Sequence, residues 1–203
     1  MVDKDGFETL AKEVYVKALA EDAYPVSPSA GRLFYIITYL IVKSRGKVNV
    51  VEVGTGYGFS TLWFAKAIAD SGCRGCVYTF EISEERAKVA IGFIRRAGLG
   101  KYVKVVVGDV RDYISKLGID EVDILFIDAK KEEYLEYLNA VRPYLRDGAL
   151  IIAHNVIAPK PHELSDYLKT ILEGSWVTVI TQVDYGGLGI TLYKSERTNN
   201  VVG

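Results

Sequence analysis

Cysteine, methionine and glutamine are scarce in this chain. Its 203 residues include two cysteines, one methionine and one glutamine, beside abundant Val, Ile, Lys, Arg and Glu. That balance resembles the composition of thermophile proteins, which carry few thermolabile side chains. The two cysteines form one pair, Cys73 and Cys76, in CRGC. A structural zinc site takes four ligands, and no second pair exists to complete one. The pair follows a helix instead of opening one, where a thiolate would be activated, so it reads as a non-catalytic loop with an optional disulfide as the alternative.

A surplus of either charge is also missing. The chain has 25 basic and 26 acidic residues and a net charge of -1. No basic excess points to a nucleic-acid partner. No apolar run reaches the roughly 18 residues of a membrane span. The longest, around Leu33 to Val42, is interrupted by Thr38 and reads as a buried helix. The opening MVDKDGFETL lacks the apolar core of a signal peptide. The expectation is a cytoplasmic protein without membrane or nucleic-acid partners. Its length fits one domain over 1–203, with helices across about 4–44 as a cap and a loose tail at 198–203. No internal repeat or low-complexity segment is evident.

The chain does have a glycine corner between two apolar segments. VNVVEVGTGYGFSTLWFA spans Val48 to Ala65. A β-rich run, Val48 to Val53, turns through Gly54, Gly56 and Gly58 into a helical pattern. Glycines let backbone N–H groups approach a ligand without a Cβ clash, and the helix start adds partial positive charge. Alone, G-x-G-x-G is a weak signal. Two acids sharpen it. Glu52 precedes the first glycine, and Glu81 ends the next apolar run, VYTFE, where a carboxylate can hold both ribose hydroxyls. An acid at the turn repels a pyrophosphate but suits a sulfonium. This favours S-adenosylmethionine over NAD.

In order, the pattern predicts a helix over Lys4–Ala20, a proline break, and a second helix from the Ser27 cap and Pro28 to about Lys43. Strands follow at Val48–Val53, Val77–Phe80, Val103–Val107, Ile124–Ile127 and Ala149–Ala153. Helices lie between them: one to about Asp70, one capped by Ser83 and ended by Gly98, a short one from GDVRDYI, and one over Glu132–Val141. A helix over His162–Leu172 and two strands, Trp176–Thr181 and Gly189–Tyr193, joined by VDYGGL, complete the chain. The fold class is α/β, doubly wound, with a mainly parallel sheet and an antiparallel strand from the last hairpin. Glu52 and Gly54, Glu81, Asp128, and His154 with Asn155 fall at the carboxyl ends of strands, the edge where such sheets bind ligands.

Four blocks now carry a specific resemblance: PVSPSAGRL, VVEVGTGYGFSTLWFA, VYTFEIS and ILFIDAKKEEY, with IIAHNVI as a weaker fifth. Over roughly residues 24 to 157 the chain resembles the small S-adenosylmethionine-dependent O-methyltransferases, the group of catechol and caffeoyl-CoA O-methyltransferases. The resemblance implies a seven-stranded Rossmann-like sheet with a terminal antiparallel strand, and a small-molecule hydroxyl acceptor. It also implies a homodimer, since family members are often dimers.

It further implies residue roles. Glu52, Gly54, Thr55, Gly56, Tyr57, Gly58 and Ser60 would hold the methionine half of the cofactor, with Val26 against the same ligand. Glu81 would bind the ribose, Ile82 would lie beside the adenine, and Gly108, Asp109 and Val110 would contact its edge. Asp128 would lie beside the cofactor and ligate a divalent metal, Mg or Mn. Lys131 would be the general base. The family pattern after strand five is Asp-Asn, whereas this chain has His154-Asn155. His154 therefore has three readings: a ligand in an Asp128–His154–Asn155 metal site, softer than an all-oxygen one; a general base; or a structural histidine. Asp184 is an acid near the last strands without a clear counterpart.

Rival functions are a methyltransferase acting on nucleic acid or protein, a dehydrogenase, and a non-catalytic module that binds S-adenosylmethionine. The first commonly carries [DN]-P-P-[YF] after strand four, where this chain reads IDAKK. The second is disfavoured by Glu52 and by the glycine spacing. The third is kept open by His154. The acceptor pocket would be built from the N-terminal helix, the loop from Ile157 to Glu163, and VDYGGL around Tyr185.

Overall fold

The computed structural model describes residues 4–173 and 175–195. The tail expected to be loose at 198–203 lies outside them. Among the described residues seven strands form one sheet: β1 Lys47–Val53, β2 Arg74–Glu81, β3 Val103–Val107, β4 Val122–Ile127, β5 Leu145–His154, β6 Val177–Thr181 and β7 Leu188–Leu192. Their order is β3-β2-β1-β4-β5-β7-β6. β1 to β5 pair in parallel, and β7 lies antiparallel between β5 and β6. The expected fold class is therefore correct.

Among the described residues seven α-helices cover the sheet: α1 Lys4–Ala20, α2 Pro28–Arg45, α3 Phe59–Ser71, α4 Glu84–Arg96, α5 Val110–Tyr113, α6 Tyr134–Val141 and α7 Ser165–Glu173. Alternation along the strands sorts residues to two faces. Val48 and Val50 of β1, with Ile124 and Phe126 of β4, pack under α1 to α4 beside Phe34, Leu62 and Phe64. Val51, Val53, Leu125 and Ile127 face α5 to α7 with Tyr134, Leu138 and Ile171. Burial of this kind is worth roughly 25 cal/mol per Å² of apolar surface. Phe34 stacks on Phe64 at 4.9 Å between ring centroids, fixing α2 on α3.

Local chemistry sets the helix ends. The Ser27 hydroxyl accepts Ala30 N, and Pro28 opens α2 with a ring already at helical φ. Gly46, at φ 74°, ends that helix and its N–H reaches Val42 O. The Ser83 hydroxyl accepts Arg86 N at the start of α4.

Several boundaries differ from expectation. β2 begins at Arg74, so Cys76 lies in a strand and CRGC is not wholly a loop; both cysteines are free thiols. The reason is the register Lys47↔Arg74 to Val50↔Val77, in which backbone pairing extends the strand over residues with no apolar alternation. β5 begins at Leu145, ahead of an irregularity in its pairing with β4. α6 and α7 each start later than the periodicity suggests, after 3₁₀ turns at Lys131–Glu133 and Pro161–Leu164.

Candidate active site

β1 and β4 run side by side and end together, which fixes the centre of the site. Asp128 N donates to Val53 O at 2.9 Å, while Gly54 N and Thr55 N both donate to Phe80 O. The chain therefore leaves β1 pressed between its two neighbours. Gly54 has φ 98°, and a Cβ there would overlap the carbonyl oxygen of Asp128. Gly56 and Gly58 also have positive φ, completing the corner before α3.

Glu81 reaches this corner from the end of β2. One carboxylate oxygen accepts Gly56 N at 2.8 Å; the other accepts Ser83 N at 3.0 Å and lies 3.3 Å from Arg86 Nε. Only 5% of the residue is exposed. Asp109 caps α5, accepting Arg111 N, and pairs with the Arg111 guanidinium. The Arg111 hydrogen bond holds the Asp109 carboxyl below its ordinary pKa.

These groups open into one cavity of about 1030 Å³ at the carboxyl edge of the parallel strands. That volume is large for a single small ligand and accommodates a donor and an acceptor side by side. Every residue expected at the cofactor or the chemistry lines the cavity, except Glu52 and Gly58. Ile82 is an exposed wall residue, whereas Val26 is buried.

Glu52 is a correction. It is fully buried, and its carboxylate accepts the hydroxyls of Ser60 and Thr61 in the first turn of α3. Burial pushes its pKa up to about 7, although the hydroxyls of Ser60, Thr61 and Thr79 pull against that rise. Glu52 thus sits beneath the corner instead of at its mouth, because alternation turns it inward when Val53 faces the cavity. The negative charge at the mouth belongs to Asp128. Gly58 is likewise turned away, with Ala90 of α4 where a Cβ would point.

At the end of β5 lies a cluster that no motif described. His154 is 4% exposed. Its Nδ1 is 3.2 Å from Asp128 Oδ1, and its Nε2 is 3.2 Å from Asp184 Oδ1. Burial by itself would lower the imidazole pKa. The attraction and hydrogen bonds of Asp128 and Asp184 overcome this and push it up to about 10. Asp184 goes the opposite way. Burial would raise it, but hydrogen bonds from His154 and from Ser27 N and Gly187 N hold it well below the carboxylate range. Asp184 stood alone in sequence because its partners outside its own loop, Ser27 and His154, come from two distant segments.

The set Asp128, His154 and Asn155 does not fit a divalent metal. A histidine ligand must turn a nitrogen lone pair to the metal, and here each ring nitrogen is already engaged 3.2 Å from a carboxylate oxygen. Asn155 Oδ1 lies against Gly186, where even a Cβ would overlap it. Among the described residues no group of three His, Cys, Asp or Glu side chains is arranged to hold a metal.

Lys131 lines the cavity at its rim, and its Nζ donates to Pro159 O at 2.6 Å. Tyr15, Leu19 and Tyr24 from the N-terminal segment, and Tyr185 from the β6–β7 connection, line the same cavity. Arg86, Arg111 and Tyr137 also line the cavity; sequence reading missed them because single basic or aromatic residues on helices carry no spacing signal.

The chain is similar to known proteins. Residues 51–156 match the sequence profile of a family described as a methyltransferase domain. A catechol O-methyltransferase of Niastella koreensis is 35% identical over 158 residues, covering 75% of this chain and 68% of that protein. A catechol O-methyltransferase of Mycobacterium tuberculosis is 36% identical over 132 residues, covering 65% of this chain and 57% of its own length. An O-methyltransferase from Bacillus cereus, solved in complex with SAH, superposes with a TM-score of 0.73 at 27% identity, covering 92% of this chain and 91% of that one.

Proposed function

The chain belongs to the methyltransferase domain family, and from that premise we propose that it moves a methyl group from S-adenosylmethionine to a hydroxyl of a small molecule. The observation that carries the reading is the joint opening of the glycine corner, Glu81 and Asp128 into one cavity. In this reading the ribose hydroxyls donate to Glu81, one of whose oxygens already reaches the corner at Gly56 N, and the adenine lies between Ile82 and the Gly108–Val110 turn. The methionine half rests on the Gly54–Tyr57 backbone, with Val26 and Ser60 beside it and Asp128 near its positive sulfur. The relatives named as O-methyltransferases support oxygen as the receiving atom.

The sulfonium is already an activated leaving group. The protein must align donor and acceptor and take up the acceptor's proton. His154 is unsuited to that task, since both its nitrogens are engaged and it carries its proton well above neutral pH. Lys131 is the base in this reading; it must leave the Pro159 carbonyl and approach the acceptor as the neutral amine. No step passes through a metal, because the residues present do not fit one. Acceptors enter between the N-terminal segment and the β6–β7 connection.

Calorimetry with S-adenosylhomocysteine tests the reading: saturable one-site binding is expected, and no heat with either the donor or this product would overturn it. Once an acceptor is identified, Lys131→Met should lower kcat on the order of a hundredfold. Its affinity for S-adenosylhomocysteine should be unchanged. Equal loss of both would make Lys131 a binding residue instead.

A further inference from the structure

We propose that His154 stands where a divalent cation would otherwise bridge acidic groups, its ring joining Asp128 to Asp184 and thereby clamping the β6–β7 connection over the acceptor end of the cavity. The inference rests on the methyl-transfer reading of that cavity and deepens it. Asp128 and Asp184 come from opposite sides of the site, one from the end of β4 and one from the connection before β7. Two carboxylates facing one buried spot repel each other and need a cation between them. The imidazole fills that spot, with each nitrogen 3.2 Å from a carboxylate oxygen.

The far side of the bridge is built with equal care. Besides His154, the Asp184 carboxylate accepts Ser27 N at 3.0 Å and Gly186 N and Gly187 N at 3.1 Å each. The same carboxylate thus holds the start of α2, next to Val26, and its own loop. The sheet register places His154 opposite Leu188, so the connection enters β7 beside the residue that carries the ring. Gly186 lies tight against this cluster: a Cβ there would come 3.0 Å from His154 Nε2 and overlap the Asn155 side chain as it stands. With the loop fitted this closely, the imidazole itself occupies the place between the two carboxylates.

The consequence is a methyltransferase whose loop closure and acceptor alignment need no divalent metal. His154 acts as a positioning residue, holding Asp128 towards the donor and Asp184 under the loop. The test is titration of the purified full-length protein with Mn²⁺, followed by electron paramagnetic resonance. The wild type should show no saturable binding. His154→Asp, which restores an acidic oxygen donor, should bind Mn²⁺ at least about tenfold more tightly. His154→Gln breaks the same bridge without adding an acid and should not. Saturable binding to the wild type that Asp128→Asn abolishes would overturn the proposal. So would a folded His154→Asp that binds no better than His154→Gln. If His154→Asp fails to fold, the wild-type and Asp128→Asn titrations decide alone. S-adenosylhomocysteine binding is measured on the same samples; its loss from the wild type would count against methyl transfer and not against the bridge.

Discussion

A single methyl group added at residue 54 would overlap the carbonyl oxygen of Asp128, and the φ of 98° there disfavours any side chain. Gly54→Ala should therefore push β1 and β4 apart where they deliver the corner and Asp128. The expected result is at least about a tenfold loss of S-adenosylhomocysteine affinity, read by calorimetry, with about 1–3 kcal/mol of lost stability. Affinity equal to wild type would show that the corner can relax without cost. Glu52 makes a different residue-scale prediction. Its folded pKa of about 7 lies above the ordinary carboxylate value of 4.5. The folded state thus holds a proton that the unfolded chain has released between these values, so stability falls as pH rises through that window and levels off above it. Glu52→Gln removes the titration while leaving an amide that the Ser60 and Thr61 hydroxyls can still meet. The variant's stability relative to wild type should improve from pH 5 to pH 8 by on the order of 3 kcal/mol at most, measured by urea unfolding. An identical difference at both pH values would mean that Glu52 titrates normally. Glu52 was visible in the sequence as an acid at the corner, but its facing was not. A one-residue phase along β1 decides whether it meets the ligand or the core.

At the scale of elements, the opposite edge of the sheet is pinned by Asp123, near the amino end of β4. Its carboxylate is 1% exposed and accepts Asn49 N of β1 at 2.8 Å and Arg146 Nε of β5 at 2.6 Å; Arg45 Nε at the end of α2 is 2.9 Å away. One side chain therefore ties three adjacent strands and a helix. Asp123→Ala should leave the Asn49 N–H without its partner and take one acceptor from each of the Arg45 and Arg146 guanidinium groups, which keep Glu121 and the Asp147 carbonyl. A cost of about 2–4 kcal/mol in urea unfolding is expected. Affinity for S-adenosylhomocysteine should be nearly unchanged, because the carboxyl edge lies at the far ends of the same strands. Loss of affinity in proportion to stability would show that the two edges are coupled. The sequence made the strands and most helices legible through unbroken β-branched runs and through caps such as Ser27, Gly46 and Ser83, which act within a few residues. It did not make β2 legible at Cys76, or the Asp123 cluster, because both depend on register between strands far apart in the chain. The candidate site divides the same way. The glycine corner, Glu81 and Asp128 were readable because they sit at predictable strand ends. The Asp128–His154–Asp184 bridge was not, since it needs β7 to lie antiparallel beside β5 before Asp184 can reach the ring.

For the whole molecule, the cavity is a meeting place of segments that are otherwise separate. Its walls come from α1, the turn before α2, the ends of β1, β2, β4 and β5, and the β6–β7 connection. A ligand filling it contacts both halves of the sheet and the N-terminal cap together, so binding should stabilise the fold as one unit. A ligand that binds only the folded state contributes roughly 2.7 kcal/mol at a concentration 100 times its Kd. For a chain of this length that corresponds to a rise in Tm of about 5–10 °C. S-adenosylhomocysteine at such a concentration should therefore move the whole unfolding transition upward in a calorimetric scan while keeping it single. Glu81→Gln keeps the size of the side chain and removes the charge that would receive both ribose hydroxyls, so at the same ligand concentration most of that rise should vanish. NADH, which carries a pyrophosphate, should give no comparable shift in the wild type, since Asp128 faces the corner where those phosphates would lie. A shift of equal size with NADH, or one that survives intact in Glu81→Gln, would place the recognised group elsewhere in the cavity and remove the ribose contact from the proposed binding mode.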